Sequence, residues 1–275
     1  MDSFIRNALL EDIGAGDHSS NCSIPEDSSG SMILLAKEPG IIAGLPQALR
    51  VFELIDPEIA AEIMVGEGQA VKNKDRVCQI SGPTRKLLMG ERLFLNILQR
   101  LCGIATKTHQ LCALIEGTHT KLLDTRKTTP NMRFLEKYAV RMGGGENHRM
   151  GLYDMIMLKD NHIDFAGGIE AAIAMARNYL AKHQLEIPIE VETRNLDELE
   201  QVLATGGVDR VMLDNYTVAE TKKGVAMVQG KLETESSGGI TESTIRAYAE
   251  TGVDFISVGA LTHSVKSLDL SLKAV

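Results

Sequence analysis

From residue 119 onward the chain alternates between short β-rich runs and amphipathic helical stretches, and this rhythm limits its folds more than any other feature. Six runs carry the strand signal: "THTKLLDT", "MIMLKD", "PIEVET", "VDRVMLD", "GKLETESS" and "VDFISVGA". Between them lie "GGIEAAIAMARNYLAKH", "NLDELEQVLATG", "TVAETKKGVAMVQ" and "TESTIRAYAETG", all with helical patterns. Strand, helix and strand in succession make the two strands parallel, because the helix returns the chain across the sheet face. So many consecutive units favour a parallel α/β barrel over an open doubly wound sheet, with a seventh strand expected near "YAVRMGGG".

The chain before this rhythm reads differently. "MDSFIRNALLEDIG" and "LPQALRVFELID" are helical, "SMILLAKE" is a strand, and "IAAEIMVGEGQAVKNKDRVCQISG" breaks at glycines and Asn73 like short antiparallel strands. "PTRKLLMGERLFLNILQRLCGIATKTHQLCALIEG" is a long helix with a break expected at Gly103. The expected organisation is a small α+β domain over residues 1–105 and the barrel over 106–265, with the tail, about 266–275, returning to the first domain. At 275 residues, core size is not limiting. No apolar run approaches the ~20 residues needed to span a bilayer, so no membrane is expected. The first helix lacks the basic start and long apolar stretch of a secretion signal, which gives a cytoplasmic expectation. Cys22, Cys78, Cys102 and Cys112 form no CxxC pair and no metal-ligand spacing, and are expected to be reduced, buried fillers.

Charge locates the function. The chain has a net charge of -8, yet residues 121–162 hold eight Lys and Arg against five acids, a local +3 that leaves -11 elsewhere. A basic island on an acidic body suits a small polyanion, whereas nucleic acid would call for an extended basic face. In a barrel, function sits where the strands end at their C-termini. The expected strand ends deliver Arg126 and Lys127, then Lys159, Glu192, Asp214, Ser237 with Gly238 and Gly239, and Gly259. The last two loops, "SSGGI" and "SVGAL", suit a phosphate, since backbone N–H groups there can face an anion. Glu192 and Asp214 suit Mg²⁺ beside polyphosphate, or pairing with Lys127 or Lys159. Arg126, His148 and Arg149 form a second anion site, in which Arg offers a bidentate fork and His148 is alternatively a satisfied structural histidine. Lys159 can bridge the two ligands or act as a Schiff-base nucleophile. "GGGENHR" lacks GxGxxG spacing and is no dinucleotide fingerprint.

Several stretches, "EDIGAGDHS", "RKLLMGERLFLNILQRLCGIAT", "DTRKTTPNMRFLEKYAVRMGGGENHRMGLYDMIMLKDNHI", "IEVE", "VMLDN", "SSGGI" and "VDFISVGALTHS", together resemble the quinolinate phosphoribosyltransferase family, in order and without large gaps. The resemblance implies an N-terminal open-faced α/β sandwich, an incomplete, about seven-stranded α/β barrel, and a homodimer or a multiple of one. It implies that quinolinate and 5-phosphoribosyl 1-pyrophosphate give nicotinate mononucleotide, pyrophosphate and CO₂, with Mg²⁺ and no organic cofactor. Carried over residue by residue, Arg126, His148, Arg149 and Lys159 would hold the quinolinate carboxylates, and Lys127 and Lys159 the phosphorylated sugar. Glu192 and Asp214 would serve the ribose and metal, Ser237, Gly238 and Gly259 the 5-phosphate, and Arg92 the partner subunit's pocket. The competing readings are a related transferase using nicotinate or another pyridine, a Schiff-base barrel lyase through Lys159, and a non-catalytic phosphate-binding barrel.

Overall fold

The computed structural model describes all 275 residues. In chain order the elements begin with α1 (Asp2–Ile13), α2 (His18–Ser23), β1 (Ser29–Ala36), β2 (Gly40–Ile41) and α3 (Leu45–Ile55). Then come β3 (Ala60–Ile63), β4 (Ala70–Val71), β5 (Arg76–Pro83), α4 (Thr84–Leu114), β6 (Lys121–Leu123) and α5 (Arg133–Met142). The alternating half comprises β7 (Ile156–Leu158), α6 (Asp160–Ala166), α7 (Ile169–His183), β8 (Ile189–Thr193), α8 (Leu196–Thr205) and β9 (Arg210–Asp214). It continues with α9 (Val218–Val228), β10 (Glu233–Ser237), α10 (Ile245–Ala249), β11 (Phe255–Ser257) and α11 (Ala260–His263), and β12 (Leu270–Ala274) ends the chain. No helix is long and apolar enough to cross a membrane.

Two compact units result: Met1–His109 with Thr129–Gly144 and Ser264–Val275, and Gln110–Thr128 with Gly145–His263. The first holds an antiparallel sheet in the order β12-β1-β5-β3. The C-terminal tail pairs along β1, from Met32 opposite Ala274 to Ala36 opposite Leu270. Phe52 of α3 and Phe94 of α4, both buried, pack with ring centroids 5.1 Å apart. The start of α3 is fixed by Glu67, whose carboxylate accepts the N–H groups of Gly44 at 2.7 Å and Leu45 at 2.9 Å, two of the donors that a helix start leaves unpaired.

Four expectations change here. Helix α4 runs through Gly103 unbroken. A Cβ at Gly103 would lie 2.3 Å from the Lys266 carbonyl oxygen, so this glycine admits the returning tail and does not end the helix. The stretch expected as a seventh strand is α5, an amphipathic helix that buries Leu135, Ala139 and Val140. After it, only Glu146 makes a strand-like bridge, to Leu123. Residues 129–144, assigned by the sequence to the second domain, group with the first unit. Their anchors explain this: Arg100 donates to the wholly buried Glu136 at 2.7 Å, Tyr138 to Glu67 at 2.8 Å, and Phe134 meets Phe4 edge-on. All four cysteines are free, and Cys22 is exposed instead of buried.

The second unit carries six parallel strands in the order β6-β11-β10-β9-β8-β7. The two-residue period of "IEVET", "RVMLD" and "ETESS" sorts the faces. Ile189, Val191, Val211 and Leu213 join Ile173, Leu199 and Val202 in the core beneath the helices. The alternate positions are polar: Glu190 and Glu192, Arg210 and Asp214, Glu233, Glu235 and Ser237. The helices start on their own caps, Asn195 accepting from Glu198 N at 3.0 Å and Thr217 exchanging bonds with Glu220.

Gly103→Ala should test the close approach. Helix propensity alone favours alanine by about 1 kcal/mol. Overpacking against the Lys266 carbonyl outweighs this, so denaturant unfolding should show a net loss of about 1–2 kcal/mol with an unchanged m-value.

Candidate active site

At the C-terminal ends of the parallel strands lies a cavity of about 820 Å³. It is lined by Arg126, Lys127, His148, Arg149, Lys159, Glu192, Asp214, Ser237, Gly238 and Gly259, which is every site residue expected from the sequence except Arg92. Arg92 is exposed on α4 and does not line this cavity.

The strands place these groups. Lys159 follows β7, Glu192 lies near the end of β8, Asp214 ends β9 and Ser237 ends β10, with Ser237 paired in register to Asp214. Arg126 and Lys127 follow β6, where Lys127 N bonds the Thr125 hydroxyl at 3.0 Å and the Lys127 carbonyl accepts from Thr262 at 2.8 Å. Gly238 turns at φ 94° because a Cβ there would lie 2.2 Å from Asn215 Oδ1.

The electrostatics divide into three parts. Lys159 Nζ donates to Glu192 Oε2 at 2.5 Å. Beside this pair, burial and then the Glu192 charge raise the Asp214 carboxyl above the usual range, although Lys159, Asn215 and Lys127 pull it back. Two carboxylates thus share a small space.

The second part is cationic. Arg126 makes no ion pair, and its Nε is buried without an acceptor. The Arg149 guanidinium donates from Nη1 to the Met155 carbonyl at 3.1 Å. Burial and the neighbouring Arg126 charge hold Arg149 below the ordinary guanidinium value. Two partly desolvated cations repel each other where a bidentate anion would neutralise both.

The third part lies behind them. His148 Nε2 is 3.0 Å from Glu190 Oε2 and 3.4 Å from Glu235 Oε2, and both carboxylates are wholly buried. Burial disfavours charge on the imidazole and the two carboxylates favour it, but the N–H that Nδ1 accepts from Arg149 opposes a second ring proton there. Burial and the Glu235 charge raise Glu190 to about 7, while the His148 hydrogen bond and charge carry Glu235 down against its burial. The backbone N–H of Arg149 donates to His148 Nδ1 at 2.7 Å, so that nitrogen is bare and the cluster's extra proton resides on the carboxylate side. His148 thus lines the cavity with Nδ1 accepting the Arg149 N–H and Nε2 facing the two buried carboxylates.

Sequence reasoning missed Glu235, Asn215, Ser257 and His263, which line the cavity, and Glu190 and Asp124, which lie behind it. The signal for Glu190 and Glu235 was present: in "IEVET" and "ETESS" the acids two residues apart share a strand face with Glu192 and Ser237.

A parallel α/β sheet whose strand ends gather two anion-binding groups and a carboxylate pair around one cavity defines an enzyme that handles small anionic substrates. The family models for the quinolinate phosphoribosyl transferase N-terminal and C-terminal domains match residues 17–102 and 104–273. The chain belongs to the quinolinate phosphoribosyl transferase family. It is 43% identical to the chloroplastic nicotinate-nucleotide pyrophosphorylase (carboxylating) of Arabidopsis thaliana, covering 98% of this chain and 81% of the relative. It is also 43% identical to the probable nicotinate-nucleotide pyrophosphorylase (carboxylating) of Synechocystis sp., covering 100% and 92%. The solved nicotinate-nucleotide pyrophosphorylase of Francisella tularensis superposes with a TM-score of 0.94 at 41% identity, covering 99% of this chain and 95% of that one.

Because Asp214 has a raised folded pKa, its ionisation costs stability as pH rises through that value. Asp214→Asn should therefore melt higher than wild type at pH 7 without ligand, by about 1–3 °C, with the gap closing toward pH 4 in calorimetry.

Proposed function

We propose that the protein transfers the phosphoribosyl group of 5-phosphoribosyl 1-pyrophosphate to quinolinate with loss of CO₂, giving nicotinate mononucleotide and pyrophosphate for NAD biosynthesis. The observation that carries this reading is the Arg126 and Arg149 pair: burial and the Arg126 charge hold the Arg149 guanidinium down, and Arg126 Nε is buried without an acceptor. Quinolinate brings two adjacent carboxylates, whereas a pyridine with one leaves a buried cation in excess.

The six strands are read as an incomplete barrel. Arg126 and Lys127 follow β6 and Lys159 follows β7, the two ends of the strand order, yet all three line one cavity. In a flat sheet, five strand spacings of about 4.8 Å would hold them roughly 24 Å apart.

Within the cavity, Arg126, Arg149 and Lys159 hold the quinolinate carboxylates, with His148 behind them. Lys127 and Lys159 hold the phosphorylated sugar, and Ser237, Gly238 and Gly259 take the 5-phosphate. Aligning two anions that otherwise repel is the first contribution to rate. Attack by the pyridine nitrogen at C1 expels pyrophosphate, and Glu192 and Asp214 stabilise the positive charge that develops on the ribose. The ring nitrogen is then cationic and stabilises the electron pair that stays on C2 when CO₂ departs, and that pair takes up a proton. Lys159 acts by charge: an ammonium that donates to Glu192 has no lone pair for a Schiff base. Mg²⁺ fits Glu192 and Asp214, crowded oxygen donors whose mutual repulsion a cation relieves, and when bound it neutralises pyrophosphate. The reading includes a homodimer in which Arg92 of each subunit completes the other's pocket.

Purified protein given both substrates should release pyrophosphate and CO₂ in equal amounts, and nicotinate should be turned over about 10⁴-fold less efficiently. Comparable use of nicotinate would remove the reading. Arg92→Ala and Lys159→Ala homodimers should each be nearly inactive, yet recover roughly a quarter of wild-type activity after verified subunit exchange, since half the dimers then carry one intact site. No recovery would remove the shared arginine.

A further inference from the structure

Three carboxylates that the chemistry above does not use, Asp124, Glu190 and Glu235, are wholly excluded from solvent. They come from the end of β6, from β8 and from β10, and they converge on one irregular segment, Asn147 to Arg149. Asp124 accepts from Asn147 Nδ2 at 2.6 Å and from the His148 N–H at 2.9 Å. Glu190 and Glu235 flank His148 Nε2 at 3.0 and 3.4 Å. His148 Nδ1 takes the Arg149 N–H at 2.7 Å.

That last bond decides what the cluster does. The His148, Glu190 and Glu235 ligand atoms lie within 4.8 Å of one another, close enough to suggest a metal site. A histidine that ligates through Nε2, however, carries its proton on Nδ1 and donates it outward. Here Nδ1 is an acceptor, so the Nε2 proton points at the carboxylates, and Arg210 Nη1 further occupies Glu235 at 3.2 Å. The cluster is a polar brace in which Nε2 faces both carboxylates, at 3.0 and 3.4 Å.

Resting on the reading of Arg149 as a quinolinate ligand, we propose that Glu190 and Glu235 are positioning residues: they hold His148 with Nε2–H toward them and Nδ1 bare, and through Nδ1 they fix the backbone from which Arg149 reaches the substrate. Their removal leaves the Nε2 proton without its acceptors, lets the ring turn, and releases the Arg149 N–H. The arginine keeps its charge and loses its place, so quinolinate recognition suffers while the phosphate side of the cavity does not.

The test uses the isosteric variants Glu190→Gln and Glu235→Gln, with Asp124 unchanged. Each should raise the quinolinate KM roughly 10- to 100-fold, the range for losing a charge-assisted hydrogen bond, with the KM for 5-phosphoribosyl 1-pyrophosphate within about twofold of wild type. Glu235→Gln should add nothing to the quinolinate KM in a His148→Ala background, because the two act through one ring. In wild type, ¹⁵N NMR should find the His148 Nδ1 unprotonated and Nε2 protonated, a measurement that survives any folding defect in the variants. Turnover of quinolinate by wild type tests the functional reading separately. With that turnover present, an unchanged quinolinate KM, equal rises in both KM values, additivity with His148→Ala, or a protonated Nδ1 would each overturn the brace.

Discussion

The Arg126 and Arg149 guanidiniums stand close enough to oppose each other's charge, in a partly buried place where water screens them poorly, and no carboxylate of the protein comes between them. The chain has acids enough to neutralise them, since Glu190 and Glu235 lie just behind, but those acids are engaged with His148 and Arg210. The result is a cavity that is electrostatically incomplete until an anion arrives. Such incompleteness costs stability in the empty protein and returns as affinity and orientation in the loaded one.

Holding that arrangement requires an unusual sheet. One face of β8 and β9 is apolar and packs beneath the helices, where Val191, Val211 and Leu213 are fully buried and supply the hydrophobic stabilisation. The opposite face carries Glu190, Arg210 and Glu235, charged groups where the strands of a buried parallel sheet are commonly aliphatic. Burying these charges is tolerable only because they neutralise one another: Arg210 pairs with Glu233 at 2.8 Å and Glu235 at 3.2 Å and lies 4.1 Å from the centre of the Phe255 ring. The same pleat that separates the faces thus makes a core on one side and a charged floor for the cavity on the other.

Much of this was legible in the sequence. The β and helix rhythm after residue 119 identified all six parallel strands, and the rule that function gathers at strand ends brought Arg126, Lys127, Lys159, Glu192, Asp214 and Ser237 to one cavity. The failures have local causes. "YAVRMGGG" has strand-like residues, but its apolar positions Leu135, Ala139 and Val140 recur at helical spacing once the preceding turn is included. Gly103 was taken as a breaker because the sequence cannot show that the tail, more than 160 residues later, comes to lie against it. The carboxylates that flank His148, Glu190 and Glu235, come from distant strands, so only the fold brings the three together.

The central claim is that the two guanidiniums are held in mutual repulsion for the sake of a dicarboxylate. Thermal unfolding of Arg126→Gln, with and without quinolinate, tests it most directly. Arg126 has no protein partner to lose, so the account predicts that the variant melts above wild type when empty. It also predicts that quinolinate raises wild type, by about 2.7 kcal/mol at a hundred times its Kd, and leaves the variant nearly unchanged. A variant that melts below wild type when empty, or that quinolinate stabilises as strongly as wild type, would contradict it.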